Sequence, residues 1–199
     1  MEKSNIVKEV MLNRRSIRKF KSTKISEEVI TDLLECAMAS PSACNKTPWE
    51  FYVIENEELL VKIKSASLFT KYNAPLAIVV GGNTNKSLSK KDNDFWIQDC
   101  ASSVAHILLR CESLDLGAVW CGLYPMERSA NKVREILNIP SSIIPMALIF
   151  IGYKNEERAP RTQYNEKKVH YYKWNKYHKW NKYHKQNKYH KQNKYKSKL

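Results

Sequence analysis

Glycine is scarce in this chain: five in 199 residues, at Gly81, Gly82, Gly117, Gly122 and Gly152. Neither GxGxxG nor GxxxxGK[ST] can be written with them, which excludes a nucleotide held by a Rossmann turn or a P-loop. Long apolar runs are also missing. The longest, Ile143 to Ile151, has nine residues, whereas a helix crossing a bilayer needs about 20. The opening MEKSNIVKEV has no basic stretch followed by an apolar one, so no secretory signal is expected and the location is read as cytoplasmic. The five cysteines (Cys36, Cys44, Cys100, Cys111, Cys121) are odd in number and include no CxxC, which reads as reduced thiols. Only His106 and His170 precede residue 173, too few clustered ligands for a structural metal.

Acid is absent from one stretch. Residues 173–199 hold ten lysines and no Asp or Glu. The formal charge of +14 therefore divides unevenly: residues 1–172 carry 24 basic and 20 acidic side chains, a balance of +4. That is an ordinary domain joined to a basic tail. The tail reads KWNKYH, KWNKYH, KQNKYH, KQNKYK and SKL. A six-residue period turns a helix through about 600°, which scatters its aromatics over every face. On a strand, both faces would carry lysine. A disordered extension is expected. Any pairing with nucleic acid is confined to this tail and is a minor expectation. The closing Ser197-Lys198-Leu199 spells a peroxisomal address, which a chance end to the repeat explains better.

The body alternates helix and strand signals. Ile6, Val7, Val10 and Met11 fit a short helix. Ser26 reads as an N-cap, with Glu27 and Glu28 in the first turn. Ile30, Leu33, Leu34, Ala37 and Met38 then continue an amphipathic helix that Pro41 stops. Strands are expected at Phe51–Ile54, Pro75–Gly81, Ala118–Cys121 and Pro145–Tyr153. Helices are expected at Leu59–Ile63, over about 94–114 with Gly117 close to its end, and from an N-cap at Ser129 to before Pro140. Few strands between long helices point to an α+β layer arrangement.

Two segments carry chemistry. Arg14-Arg15-Ser16-Ile17-Arg18 places three guanidiniums and a hydroxyl within five residues. Arginine suits bidentate contact with phosphate, while a basic helix end complementing the dipole is the plainer alternative. Pro41-Ser42-Ala43-Cys44-Asn45-Lys46-Thr47-Pro48-Trp49 is rigid at both ends, with hydroxyl, amide and backbone groups between. It suits a planar heterocycle, or is a simple helix-to-strand turn. Cys44 and Cys121 read as small side chains rather than redox thiols, and His106 as a satisfied or surface histidine. Trp49, Trp96 and Trp120 read as core or interface aromatics.

RRSIRKF, PSACNKTPWEFYVI, the helix opening with Gln98-Asp99, LDLGAVWCGLYP and the Arg158–Arg161 stretch occur in one order. Together they resemble the nitroreductase family of FMN-dependent oxidoreductases, over about residues 5–174. The resemblance implies an intertwined homodimer with a central mixed, mainly antiparallel sheet flanked by helices. It implies FMN at the subunit interface, NADH or NADPH as co-substrate, and nitroaromatic, quinone or flavin acceptors. By resemblance, Arg14, Arg15 and Ser16 form the first FMN segment and Arg18 reaches the pyrimidine side of the ring. Pro41, Ser42, Ala43 and Asn45 come from the other subunit, Cys121 and Gly122 lie near N5, and Arg161 closes on the phosphate. No catalytic side chain is implied, because the cofactor carries the chemistry. Three departures stand out: Thr47 where Gln is common, Gln163 where a second arginine is common, and Asp115 where glycine is usual. A flavin carrier or sensor without turnover is the alternative, as is reduction by a ferredoxin-type donor.

Overall fold

A computed structural model describes residues 3–88 and 95–172. The chain divides into two compact units, Met1–Thr162 and Gln163–Leu199. The hexapeptide repeats expected to be disordered lie outside the described residues. In the described part of the second unit, Glu166–Lys168 form a 3₁₀ turn that Asn165 caps by accepting the Lys167 amide.

The first unit is an α+β layer structure. In chain order it contains α1 (Lys3–Asn13), α2 (Glu27–Met38), β1 (Trp49–Ile54), α3 (Glu57–Lys64) and β2 (Leu76–Asn83). These are followed by α4 (Phe95–Ser113), β3 (Leu116–Gly122), α5 (Glu127–Leu137) and β4 (Ile143–Tyr153). The strands form one sheet in the order β1-β2-β4-β3, every neighbouring pair antiparallel. Among the described residues, the parallel contribution is one bridge, from Ser16 to Ala118. No helix among the described residues is long and apolar enough to cross a membrane.

Strand periodicity explains the layering. On β2, Leu76, Ile78 and Val80 face α2 and α4, packing with Leu33, Ala37, Trp96, Val104 and Ile107. Their neighbours Ala77 and Val79 face the opposite layer, with Leu60 and Ile63 of α3 and Val133 of α5. β4 divides likewise, Ile149 and Ile151 to one side and Leu148 and Phe150 to the other. These central strands are buried on both faces, so they read as unbroken apolar runs instead of alternating ones. Each such side chain contributes roughly 1.5–3 kcal/mol by leaving water. Two long-range contacts fix α4 against α2: Arg110 grips Asp32 through bonds of 2.6 and 2.9 Å, and His106 Nδ1 lies 3.0 Å from the Cys36 carbonyl.

The helix ends refine the sequence reading. Ser26 caps α2 as expected, accepting the Val29 amide at 3.4 Å. Ser129 does not cap α5. The helix begins at Glu127, with Met126 in the cap position and Ser129 already inside and buried. Glu127 and Arg128 precede the apolar stripe, so periodicity alone starts this helix too late. After α4, Asp115 takes the left-handed conformation (φ 57°), one that favours glycine. Gly117 serves another purpose, inside β3: a Cβ there would lie 2.6 Å from Ile17 Cγ2.

Candidate functional site

The basic segment runs extended along the outer edge of β3. Ser16 bridges Ala118, and the Ile17 amide donates to the Ala118 carbonyl at 3.0 Å. Extended backbone alternates its side chains, and this divides the segment. Ile17 is buried, and with Asn13 and Arg15 it lines a cavity of about 560 Å³ shared with Glu112, Lys154 and Glu156. Arg15 donates through Nη1 to the Ala159 carbonyl. Arg14 and Ser16 are half-buried and Arg18 is exposed, and none of the three lines that cavity.

The C-terminal part of this unit is laced to the same segment. The Arg161 amide donates to the Leu12 carbonyl at 3.2 Å, which brings Arg161 beside the turn that leads to Arg14. The Glu156 carboxylate accepts the Arg18 amide at 2.6 Å and pairs with Arg158 at 2.8 Å. The Arg18 amide, and secondarily Arg158, hold the Glu156 carboxyl below the ordinary glutamate range, against a smaller opposing effect of burial. None of the ion pairs among the described residues engages Arg14, Arg18 or Arg161.

Cys121 and Gly122 end β3. The Cys121 thiol is buried and donates to the Phe69 carbonyl at 3.1 Å. Burial pushes its pKa up to about 12, with the nearby Arg18 cation opposing weakly, so at neutral pH it is a protonated, packed thiol. Arg18 and Cys121 therefore lie within electrostatic reach. Gly122 is exposed, its φ is not positive, and a Cβ there would meet nothing within 4 Å. Among the described residues, neither packing nor backbone conformation requires glycine at this position.

The loop after α2 is built differently. Ala43–Asn45 form a 3₁₀ turn, and Cys44, Asn45 and Thr47 all have left-handed φ, at 48°, 54° and 44°. Such a conformation costs a non-glycine residue of order 1–3 kcal/mol, so other bonds must hold it. Ser42 Oγ accepts the Thr47 amide at 3.0 Å, and Asp99 Oδ1 on α4 accepts the Ala43 amide at 2.8 Å. Asp99 is buried, and its Oδ2 has no partner among the described residues. Pro41 and Asn45 are exposed, with Ser42 and Ala43 half-buried. This loop contributes nothing to the cavity beside Arg15. Trp49 and Trp96 are core residues, Trp96 packing edge-on against Tyr124 at 5.0 Å, while Trp120 is 37% exposed.

Sequence reasoning grouped Arg15 with Arg14 and Ser16. The apolar Ile17 two residues later was the signal that Arg15 shares the inward face. Glu156 carries no sequence signal, and Asp99 enters only within the Gln98-Asp99 helix opening, without a role, because their partners lie 138 and 56 residues away and no local pattern announces the pairings.

The chain is similar to known proteins in sequence and in fold. The family model described as "Nitroreductase family" matches residues 11–71 and 64–153. A protein of Methanothermobacter thermautotrophicus, provisionally named NADH dehydrogenase/NAD(P)H nitroreductase, is 39% identical over 170 residues, covering 84% of this chain and 87% of its own. A solved structure of the same provisional name from Parabacteroides distasonis has a TM-score of 0.79 at 34% identity, with 85% of this chain and 99% of that one covered. An FMN-dependent nitroreductase structure from Clostridium difficile has a TM-score of 0.75 at 30% identity, with 83% and 98% covered. This chain belongs to the nitroreductase family.

Proposed function

We infer that this protein is an FMN-dependent oxidoreductase that passes electrons from NADH or NADPH to a small oxidised acceptor. One observation carries the inference. A segment with Arg14, Ser16 and Arg18, flanked by Arg161, lies along the strand that ends in the bare backbone of Gly122. The comparisons add that similar chains bear names describing NAD(P)H nitroreductases and an FMN-dependent nitroreductase.

The donor set suits FMN. A phosphate of nearly two negative charges needs guanidiniums and hydroxyls, which Arg14, Ser16 and Arg161 provide. Arg18 would face the pyrimidine side of the ring, where its charge opposes the negative charge that reduction leaves at N1 and O2. The Cys121–Gly122 backbone would lie near N5, and absence of a Cβ at Gly122 lets a flat ring approach closely. Arg15, engaged by Ala159, would hold the C-terminal segment rather than the phosphate. Bound FMN supplies hydride acceptance and donation, so no titrating side chain is required.

The Pro41, Ser42, Ala43 and Asn45 loop would be supplied by a second copy, giving a homodimer with a flavin site at each subunit boundary. The arm from Arg158 to Trp174 would pack across the partner; Trp174 lies outside the described residues. Nicotinamide and acceptor would use one cleft in turn, which gives ping-pong kinetics. Nitroaromatics, quinones and free flavins are the acceptors considered. Anaerobic mixing with NADH or NADPH, followed by flavin absorbance, tests this. Bleaching of bound FMN and recovery on adding a quinone are expected. FMN that binds but stays oxidised with both nucleotides would leave a carrier or a ferredoxin-driven enzyme instead.

A further inference from the structure

Arg18 sits where its segment changes partners. Ser16 and Ile17 pair with Ala118 on β3. From Lys19 onward the chain pairs with the end of β4: the Asn155 amide donates to the Lys19 carbonyl at 3.0 Å, the Lys21 amide donates to the Tyr153 carbonyl at 2.9 Å, and Phe20 bridges Lys154. At the crossing, the acceptor for the Arg18 and Lys19 amides is a side chain. Glu156 Oε1 takes them at 2.6 and 3.3 Å. Its other oxygen accepts both Nε and Nη2 of Arg158, at 3.1 and 2.8 Å, two donors converging on one acceptor. The Glu156 side chain is only 12% exposed. All four bonds are charge-assisted, the stronger class of hydrogen bond. By contrast, the Arg18 guanidinium makes one long bond, 3.4 Å from Nη1 to the Ser16 carbonyl. Beyond that bond, what restrains the guanidinium among the described residues is the position of the backbone from which it springs.

We propose that Glu156 is a positioning residue for Arg18: its carboxylate fixes the backbone that aims the Arg18 guanidinium at the flavin, and Arg158 neutralises that carboxylate so the guanidinium charge is not offset. The proposal deepens the FMN assignment above and rests on it. A carboxylate beside a cation meant to stabilise developing negative charge would ordinarily weaken it. The pairing with Arg158 makes the Glu156–Arg158 pair neutral, so the carboxylate acts through geometry.

Two variants separate geometry from charge. Glu156→Ala removes the acceptor, whereas Glu156→Gln keeps an amide oxygen for the Arg18 and Lys19 amides. The readouts are amide hydrogen exchange at Arg18 and Lys19, and the ratio of FMN dissociation constants for the oxidised and reduced forms. In Glu156→Ala, exchange is expected to quicken at least tenfold as the local structure opens. The oxidised-to-reduced ratio is expected to fall about tenfold, as an aimed charge is lost. Glu156→Gln is expected to keep slow exchange and a ratio no more than about threefold below the parent, because the Arg158 cation it leaves unpaired acts to raise the ratio. Unchanged exchange and ratio in Glu156→Ala, or a Glu156→Gln ratio that falls as far as that of Glu156→Ala, would overturn the proposal. If Glu156→Ala does not fold, Arg158→Ala serves: exchange stays slow while the ratio falls severalfold, and an unchanged ratio refutes the neutralising role. Parent protein that binds no FMN would sink the FMN assignment itself; parent protein that binds it normally while the variants do nothing would sink only this inference.

Discussion

Replacing Gly117 by alanine should unseat the basic segment while leaving its arginines intact. The added Cβ would lie 2.6 Å from Ile17 Cγ2 and 2.8 Å from Ile17 Cβ, and ordinary contact begins near 3.4 Å. Ile17 must then retreat by about 0.8 Å, the difference between those distances. It is 2% exposed and its amide bond to Ala118 is 3.0 Å, so the same movement stretches that bond beyond useful length. Overpacking costs about 1–3 kcal/mol and the lost bond about 1 kcal/mol. Together these give a destabilisation of about 2–4 kcal/mol, which for a domain of this size lowers Tm by roughly 5–15 °C. Gly122→Ala is the matched control, because a Cβ there meets nothing within 4 Å. It should hold or slightly raise Tm, yet weaken FMN by about tenfold if the ring lies on that backbone. Thermal melts and FMN titrations of the two variants decide the matter. A Gly117→Ala protein that melts with the parent would refute the packing argument, and Gly122→Ala with full FMN affinity would refute the placement of the ring.

Other outcomes follow from the same geometry. Asp99→Ala should leave the Ala43 amide without its partner, and amide exchange there should quicken at least tenfold with little change at α5. Glu28, Glu50 and Glu156 are held below the ordinary glutamate value of 4.5, chiefly by hydrogen bonds to Ser26, Lys86 and the Arg18 amide respectively. A lowered folded pKa stabilises above the unfolded value and is lost as pH falls through the folded one. Denaturant midpoints should therefore be flat above about pH 5 and drop below about pH 4.5; a drop beginning near pH 6 would contradict this. In flavin-free protein, a thiol reagent at pH 8 should modify exposed Cys44 first and half-buried Cys36 next. Cys100 and Cys121, both pushed up to about 12 by burial, and the fully buried Cys111 should react only on unfolding.

Much of the fold was legible because its signals are local. The apolar spacing of Ile30, Leu33 and Ala37 gives α2, and the continuous runs of β2 and β4 announce strands buried on both faces. Helix starts were less legible where the first turn is polar, as at Glu127, where Met126 holds the cap position without a side-chain bond and Ser129 lies inside the helix. Asp115 shows the converse. It stands where glycine is usual and takes a left-handed backbone, which an aspartate tolerates better than most residues. The candidate site was readable in the sequence only as two contiguous segments, RRSIR and the Pro41–Thr47 loop, proposed to meet across a subunit boundary. Its supports were not. Asp99 reaches Ala43 across 56 residues and Glu156 reaches Arg18 across 138, and such pairings arise only when the sheet brings distant segments together. The facing of Arg15 follows from period-two alternation, once the segment is known to be extended along β3.

The most direct test is a titration of FMN into flavin-stripped protein, followed by quenching of flavin fluorescence. Saturation at one FMN per chain, with a dissociation constant of roughly micromolar or tighter and loss of affinity in Arg14→Ala and Arg161→Ala, is the expected result. Fluorescence that never saturates, or binding indifferent to both arginines, would contradict the assignment of this segment as a flavin cradle.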